Sequence, residues 1–245
     1  MKNTLNVIIM LLAGTFLFQT SINYMAANIG DFENVALPPK KVRKYTTSNP
    51  TIKIDASSRD SWTLVDFSTG TFYRIGDPEN DKEKLKKIKW DLGFQRTKVI
   101  TNSGATNPQG IVGAANLGPV DFDAVAEAPE TGYVEDAVAW GNITNKAISD
   151  WYNYRTRTHN IESKKNIYVI RTSDNHYMKV KFLNYYCKQN ERDCASIMCP
   201  RAEAACITLE YVMQPNGGRF FPPSTNPPSG EILADRSAGM ENATD

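Results

Sequence analysis

Apolar and polar positions alternate with a period of two through much of the chain, most clearly from Asn166 to Gln214. The runs "NIYVIRT", "HYMKVKFLNYY" and "CITLEYVM" are rich in β-branched and aromatic residues and lack the i, i+3, i+4 spacing of an amphipathic helix. "SDN" parts the first two runs, and its Asn tolerates the positive φ of a tight turn. The pattern predicts three antiparallel strands in a meander: Ile167 to Thr172, His176 to Tyr186 and Cys206 to Met213. Setting Cys187 directly across from Cys206 places Val180 opposite Met213, Phe182 opposite Tyr211 and Tyr186 opposite Ile207. These residues share one face, because side chains alternate along a strand. The same register brings Cys194 opposite Cys199.

Upstream, "TIKIDAS" and "SWTLVDFSTGTFYRI" also alternate, and the break at Ser68-Thr69-Gly70 reads as a hairpin turn. Asp77 before Pro78 opens a short charged segment, one or two helical turns. "WDLGFQRTKVITNSG" reads as one further strand with Trp90, Leu92 and Phe94 on one face, ending at Asn102 to Gly104. From Gly104 to Ala139 glycine, proline and small residues dominate, which reads as a long connection of functional or mobile character. The expected fold is mostly β: an antiparallel sheet domain with a C-terminal meander and few short helices.

The ends change the picture from fold to location. Residues 1–27 have the Lys2 n-region and the apolar Val7 to Phe18 run of a secretory signal, too short to span a bilayer comfortably. An uncleaved anchor is the alternative reading. Residues 28–52 form a polar leader with a basic knot at Lys40 to Lys44, residues 53–215 the β domain, and residues 216–245 a disordered tail. The chain is therefore expected to be secreted, periplasmic or on the outer surface, with no lipid-accepting cysteine after the apolar run. In that oxidising setting the four cysteines read as two disulfides, and the strand register selects Cys187–Cys206 and Cys194–Cys199. A four-cysteine zinc site lacks the usual close Cys-x-x-Cys pairs. A net charge of +1 gives no global field for nucleic acid.

The blocks "WTLVDFSTG", "WDLGFQRTKVITNSG", "WYNYRTRTHNIESKKNIYVIRTSDNHYMKVKFLNYY" and "ITLEYV", in that order, resemble the HmuY-like proteins, a family of haem-binding proteins exported by bacteria. The resemblance runs over roughly residues 53 to 213. It implies an antiparallel β domain that binds haem b without a covalent bond. Its partners would be haem or a haem-carrying protein, and an outer-membrane receptor. Two features depart from the family pattern: the missing lipobox cysteine, and a longer cysteine-rich insertion between Cys187 and Cys206.

Haem iron takes His or Met, and sometimes Tyr or Cys, as axial ligands. The chain has two histidines, His159 in the "TRTHNIES" loop and His176 at the head of the second meander strand. The residues alone leave both equally readable as surface histidines. With the resemblance, His159 is the expected ligand, and His176, Met178 or Met213 the second, although both methionines also read as core filler on an apolar face. Tyr152 or Tyr154 is expected to pack on the porphyrin. No Cys-x-x-Cys-His, His-Glu-x-x-His, Gly-x-Ser-x-Gly or phosphate-loop spacing occurs, and acids such as Asp121, Asp123, Glu127 and Glu130 carry no catalytic pattern, so the chain does not read as an enzyme. The alternative is a non-haem binding or adhesive module whose recognition loop is the Gly104–Ala139 stretch.

Overall fold

The period-two runs become strands that stack as two antiparallel sheets. The structure, a computed structural model, describes residues 49–214 and 216–222. The signal and leader readings, apart from residues 49–52, and the tail from residue 223 lie outside the described residues. The larger sheet contains β1 (Thr51–Asp55), β6 (Gly113–Gly118), β11 (Ile167–Arg171), β12 (Tyr177–Tyr186) and β13 (Ala204–Met213), in the order β1-β13-β12-β11-β6. The smaller contains β2 (Trp62–Asp66), β3 (Thr71–Ile75), β4 (Leu92–Gln95) and β5 (Lys98–Thr101), in the order β3-β2-β4-β5. Two hairpins stand apart from these sheets: β7 (Ala137–Ala139) with β8 (Asn142–Thr144), and β9 (Tyr152–Arg155) with β10 (Asn160–Ser163). Helix is confined to α1 (Lys82–Leu85) and a 3-10 turn at Arg201–Glu203. The mostly-β, meander-ended fold is thus as the sequence pattern requires.

Side-chain alternation assigns each face. Met178, Val180 and Phe182 of β12 and Ile207 and Leu209 of β13 point inward and meet Val65, Leu92 and Phe94 of the smaller sheet. Burying each such side chain contributes roughly 1.5–3 kcal/mol. On the far face of the smaller sheet, Trp62, Leu64, Trp90 and Ile100 pack with Leu85 of α1. On the far face of the larger sheet, Ile167 and Val169 pack under Phe122, Val125 and Ala128, with Phe221 added from the C-terminal side. Lys179, which the alternation alone would leave in water, is buried there instead. Its Nζ donates to the carbonyl oxygens of Phe122 (2.8 Å) and Val125 (3.0 Å) and lies 4.6 Å from the Phe122 ring centroid.

Four expectations need correction. The β12–β13 register is two residues away from the one expected: Met178 faces Met213, Val180 faces Tyr211 and Phe182 faces Leu209. A slide of two keeps every inward side chain inward, so the apolar face survives. Irregularities at Phe182/Asn184 and Asn184/Tyr186 then bring Tyr186 opposite Ala204. Second, the single strand expected around Trp90 is a hairpin, β4 and β5, turned at Arg96 with φ 54°. Third, Trp90 does not share a face with Leu92 and Phe94: it packs in the opposite cluster, beside Leu64 and Ile100. Gly93 makes room for that layer, since a Cβ there would sit 2.7 Å from Leu64 and 2.8 Å from Ile100.

Fourth, the Gly104–Ala139 connection is less free than its composition suggests. It contributes β6, paired along β11, and its Asp136 carboxylate is buried against β5. Small residues hide this strand because they supply no β-branched signal. Beyond Gln214, Phe221 donates its N–H to the Ala126 carbonyl (2.9 Å), and Ala128 donates to the Arg219 carbonyl (2.8 Å), so packing continues through Phe221.

Candidate functional site

The β9–β10 hairpin lies beside the C-terminal end of β12, and the space between them is the site. Trp151 anchors the hairpin: its ring stacks on Phe182 at 4.4 Å and meets Tyr185 at 6.1 Å, and its indole N–H donates to the Thr97 carbonyl at 2.9 Å. Tyr186 Oη accepts the Ile161 backbone N–H at 2.9 Å. The turn between the two strands places His159 in the left-handed region, φ 56°. His is among the residues that adopt this region more readily than most.

A cleft of about 430 Å³ opens here, in the size range of small-molecule sites. His159, Ile161, Tyr185, Tyr186 and Met198 line it, with Arg59, Arg96 and Arg201. No carboxylate is among the lining residues, so its field favours an anionic ligand. His159 Nδ1 and Tyr154 Oη are 2.5 Å apart. With the proton on Nδ1, the imidazole donates to Tyr154 and Nε2 keeps a lone pair for a metal. Burial pushes the Tyr185 phenol up to about 12, with the Arg96 charge working against that shift, and burial raises Tyr186 as well. Both phenols are therefore neutral donors near pH 7. A neighbouring cleft of about 450 Å³ shares Arg59 but mixes Asp60, Asp77 and Glu79 with Lys98, and has no His, Met, Cys or Tyr in its wall.

The remaining expected ligands stand elsewhere. His176 sits at the β11–β12 turn, its backbone N–H donating to Thr172 Oγ1 at 3.2 Å. Met178 is fully buried in the core, and Met213 faces it across the strand pair and is partly buried. Those three cluster at one end of the ten-residue β12, while His159 lies by its other end; at about 3.3 Å per residue the separation is roughly 30 Å. They do not share the His159 cleft. Tyr154 contacts His159, and Tyr152 packs on Trp151 at 5.2 Å.

The cysteine-rich insertion supplies part of the wall. Cys194 and Cys199 are bridged, with Cα atoms 5.3 Å apart, and Cys199 and Met198 line the cleft. Cys187 and Cys206 are not bonded to one another in the structure, yet their side chains are hydrogen-bonded neighbours. Burial, and then that hydrogen bond, pushes the Cys206 thiol up to about 11. Sequence reasoning missed Met198 and the three arginines. A methionine next to Cys199 is a faint signal at most, and the arginines come from three separate segments.

The HmuY protein family model matches residues 58–199, more than half of the chain and the stretch that holds every element of this cleft up to Cys199. The chain belongs to the HmuY family. Among solved structures it is similar to the apo HmuY analogue (TFO) of Tannerella forsythia, with 19% identity over 68% of this chain and 96% of that one and a TM-score of 0.51. It is also similar to apo PinO of Porphyromonas gingivitis, with 16% identity over 69% of this chain and 99% of that one and a TM-score of 0.51. At these identities the likeness establishes the HmuY fold. No curated protein matches the chain.

The residues in the cleft fit a haem. An imidazole nitrogen and a thioether are both established haem-iron ligands, and arginines suit propionate carboxylates. Among the described residues no helix is long and apolar enough to cross a membrane.

Proposed function

We propose that this HmuY-family chain is an exported haem-binding carrier, holding one haem b without a covalent bond in the His159 cleft. The observation that carries this reading is His159 itself: a histidine held by Tyr154 at the mouth of an arginine-lined, carboxylate-free cleft. Haem, when bound, supplies an iron that accepts the imidazole Nε2. The chain's own groups do the rest. Tyr154 orients the imidazole through its Nδ1, Tyr185 and Tyr186 close the apolar side, and Arg59, Arg96 and Arg201 offer charge to the carboxylates. The role is capture and delivery, with a haem-carrying protein as donor and an outer-membrane receptor as acceptor, rather than catalysis.

A haem titration of the wild type and His159→Ala, followed by absorbance, tests this. The wild type is expected to give a Soret shift near one equivalent, and His159→Ala a weaker complex with a changed spin state. An unchanged spectrum in His159→Ala removes His159 from the ligand set. No Soret shift in the wild type at micromolar haem, oxidised or reduced, removes the haem reading. The adhesive-module reading would then stand on the β7–β8 tip, where Val138 is largely exposed and Trp140 is 100% exposed.

A further inference from the structure

The loop from Cys194 to Cys199 is tied to the residue that follows His159. Asn160 is buried, and both of its N–H donors and its carbonyl oxygen bond to this loop. Its Nδ2 donates to the carbonyl oxygens of Cys194 (2.9 Å) and Ile197 (2.8 Å), and its Oδ1 accepts the Cys199 N–H at 2.8 Å. The disulfide closes the same five-residue separation covalently. A loop pinned at three backbone groups and one bridge has little backbone freedom left, so the place from which the side chain before Cys199 springs is set. That side chain is Met198, which is 44% exposed and lines the His159 cleft.

Elimination narrows the metal-capable groups in the wall. Tyr185 and Tyr186 stay protonated near neutral pH, and Tyr186 Oη already accepts the Ile161 N–H. Cys199 is committed to its bridge. A tyrosine ligates iron well as phenolate and a cysteine as thiolate, neither of which is on offer. The thioether of Met198 needs no deprotonation and is soft and flexible enough to adapt to a ligand.

Resting on the haem reading above, we propose that Met198 is the second haem-iron ligand of the His159 cleft, and that Asn160 and the Cys194–Cys199 bridge are the positioning groups that present it. Adjacent residues then do paired work: His159 binds, and Asn160 holds the loop carrying its partner. The cysteine-rich insertion is thereby a ligand-bearing element of the site.

The test is a haem titration of the full oxidised chain by absorbance and magnetic circular dichroism, on wild type, Met198→Leu, Asn160→Ala and the Cys194→Ser/Cys199→Ser double variant. Far-UV dichroism and urea midpoints report folding. The wild type is expected to be low-spin with a thioether-to-iron charge-transfer band. Met198→Leu should still bind through His159 but lose that band and become high-spin. Asn160→Ala, folded, should show the same spectral loss with affinity reduced by about 10–100-fold, the range for groups that support a metal ligand. Met198→Leu changes little volume at a half-exposed site, so it keeps the test decisive even if the other variants fold poorly. As a second readout, iodoacetate should alkylate Met198 in the haem-free protein and be blocked once haem is bound. A Met198→Leu protein with the wild-type spectrum overturns the assignment while leaving haem binding intact. Wild-type bands retained in Asn160→Ala and in the double-serine variant overturn the positioning roles. Absence of any haem binding by the wild type overturns the function first and this inference with it.

Discussion

Replacing Asp136 by Ala should destabilise the domain by about 3 kcal/mol while leaving the His159 cleft in place. The Asp136 carboxylate is buried and accepts from Thr101 N (2.9 Å), Thr101 Oγ1 (2.6 Å) and Thr106 Oγ1 (2.5 Å). It ties the Gly104–Ala139 stretch to β5, and the fit is close: a Cβ at Gly104, φ 52°, would sit 2.1 Å from the Asp136 carbonyl oxygen. Hydrogen bonds to a charged group contribute about 1.5–3 kcal/mol each, and losing the acceptor leaves a buried N–H unpaired at about 1–3 kcal/mol. Against this stands the cost of holding the charge itself. Burial outweighs the hydroxyl donors and raises the Asp136 pKa above the usual carboxylate range. Removing the residue relieves that cost, which brings the sum of several bonds down to about 3 kcal/mol, or a Tm lower by roughly 6–12 °C for a domain of this size. The pH sign follows from the raised pKa: the contribution from protonating Asp136 is complete below its unfolded value of 3.8 and is lost as pH rises through the folded pKa. Urea denaturation of wild type, Asp136→Ala and Asp136→Asn from pH 4 to 8 measures both effects. Asp136→Asn keeps one acceptor oxygen, should lose less than Ala, and should flatten the pH slope above pH 4. A loss below about 0.5 kcal/mol for Ala, or a pH slope unchanged in Asn, refutes the reasoning.

Tyr154→Phe removes the group that holds His159 Nδ1 at 2.5 Å and should lower haem affinity by about 10–100-fold with the fold unchanged, as read by titration and far-UV dichroism. Mass spectrometry of protein from its native source should find a mature terminus near Asn28 and a linked Cys194–Cys199 loop, with Cys187 and Cys206 as free thiols; an intact Met1 contradicts the first, and a free Cys194 and Cys199 the second. In the reduced protein, Cys206 should be alkylated more slowly at pH 8 than an ordinary thiol and should gain reactivity only as pH approaches about 11, because the thiolate is the reactive form.

The alternation in the sequence determined the three strands of the meander and its apolar face, and the Ser173–Asn175 stretch its first turn, and those are where the structure has them. Alternation has period two, so it could not distinguish a register from the same register slid by two residues. The structure decided that, and with it that Cys187 lies opposite Glu203, its N–H donating to the Glu203 carbonyl at 2.9 Å, rather than opposite Cys206. The sequence marked His159 as a candidate but could not say which histidine or methionine accompanies it. Residues near in sequence to one strand end can be a whole strand length from the other, and that length separates His159 from His176, Met178 and Met213. Tertiary packing brought Met198 to the cleft, because the long-range hydrogen bonds of Asn160 and a short-range disulfide, none with a periodic signature, fix where that loop lies. The arginines converge for a similar reason: each belongs to a different segment, and only the stacking of the two sheets and the β9–β10 hairpin places Arg59, Arg96 and Arg201 around one space.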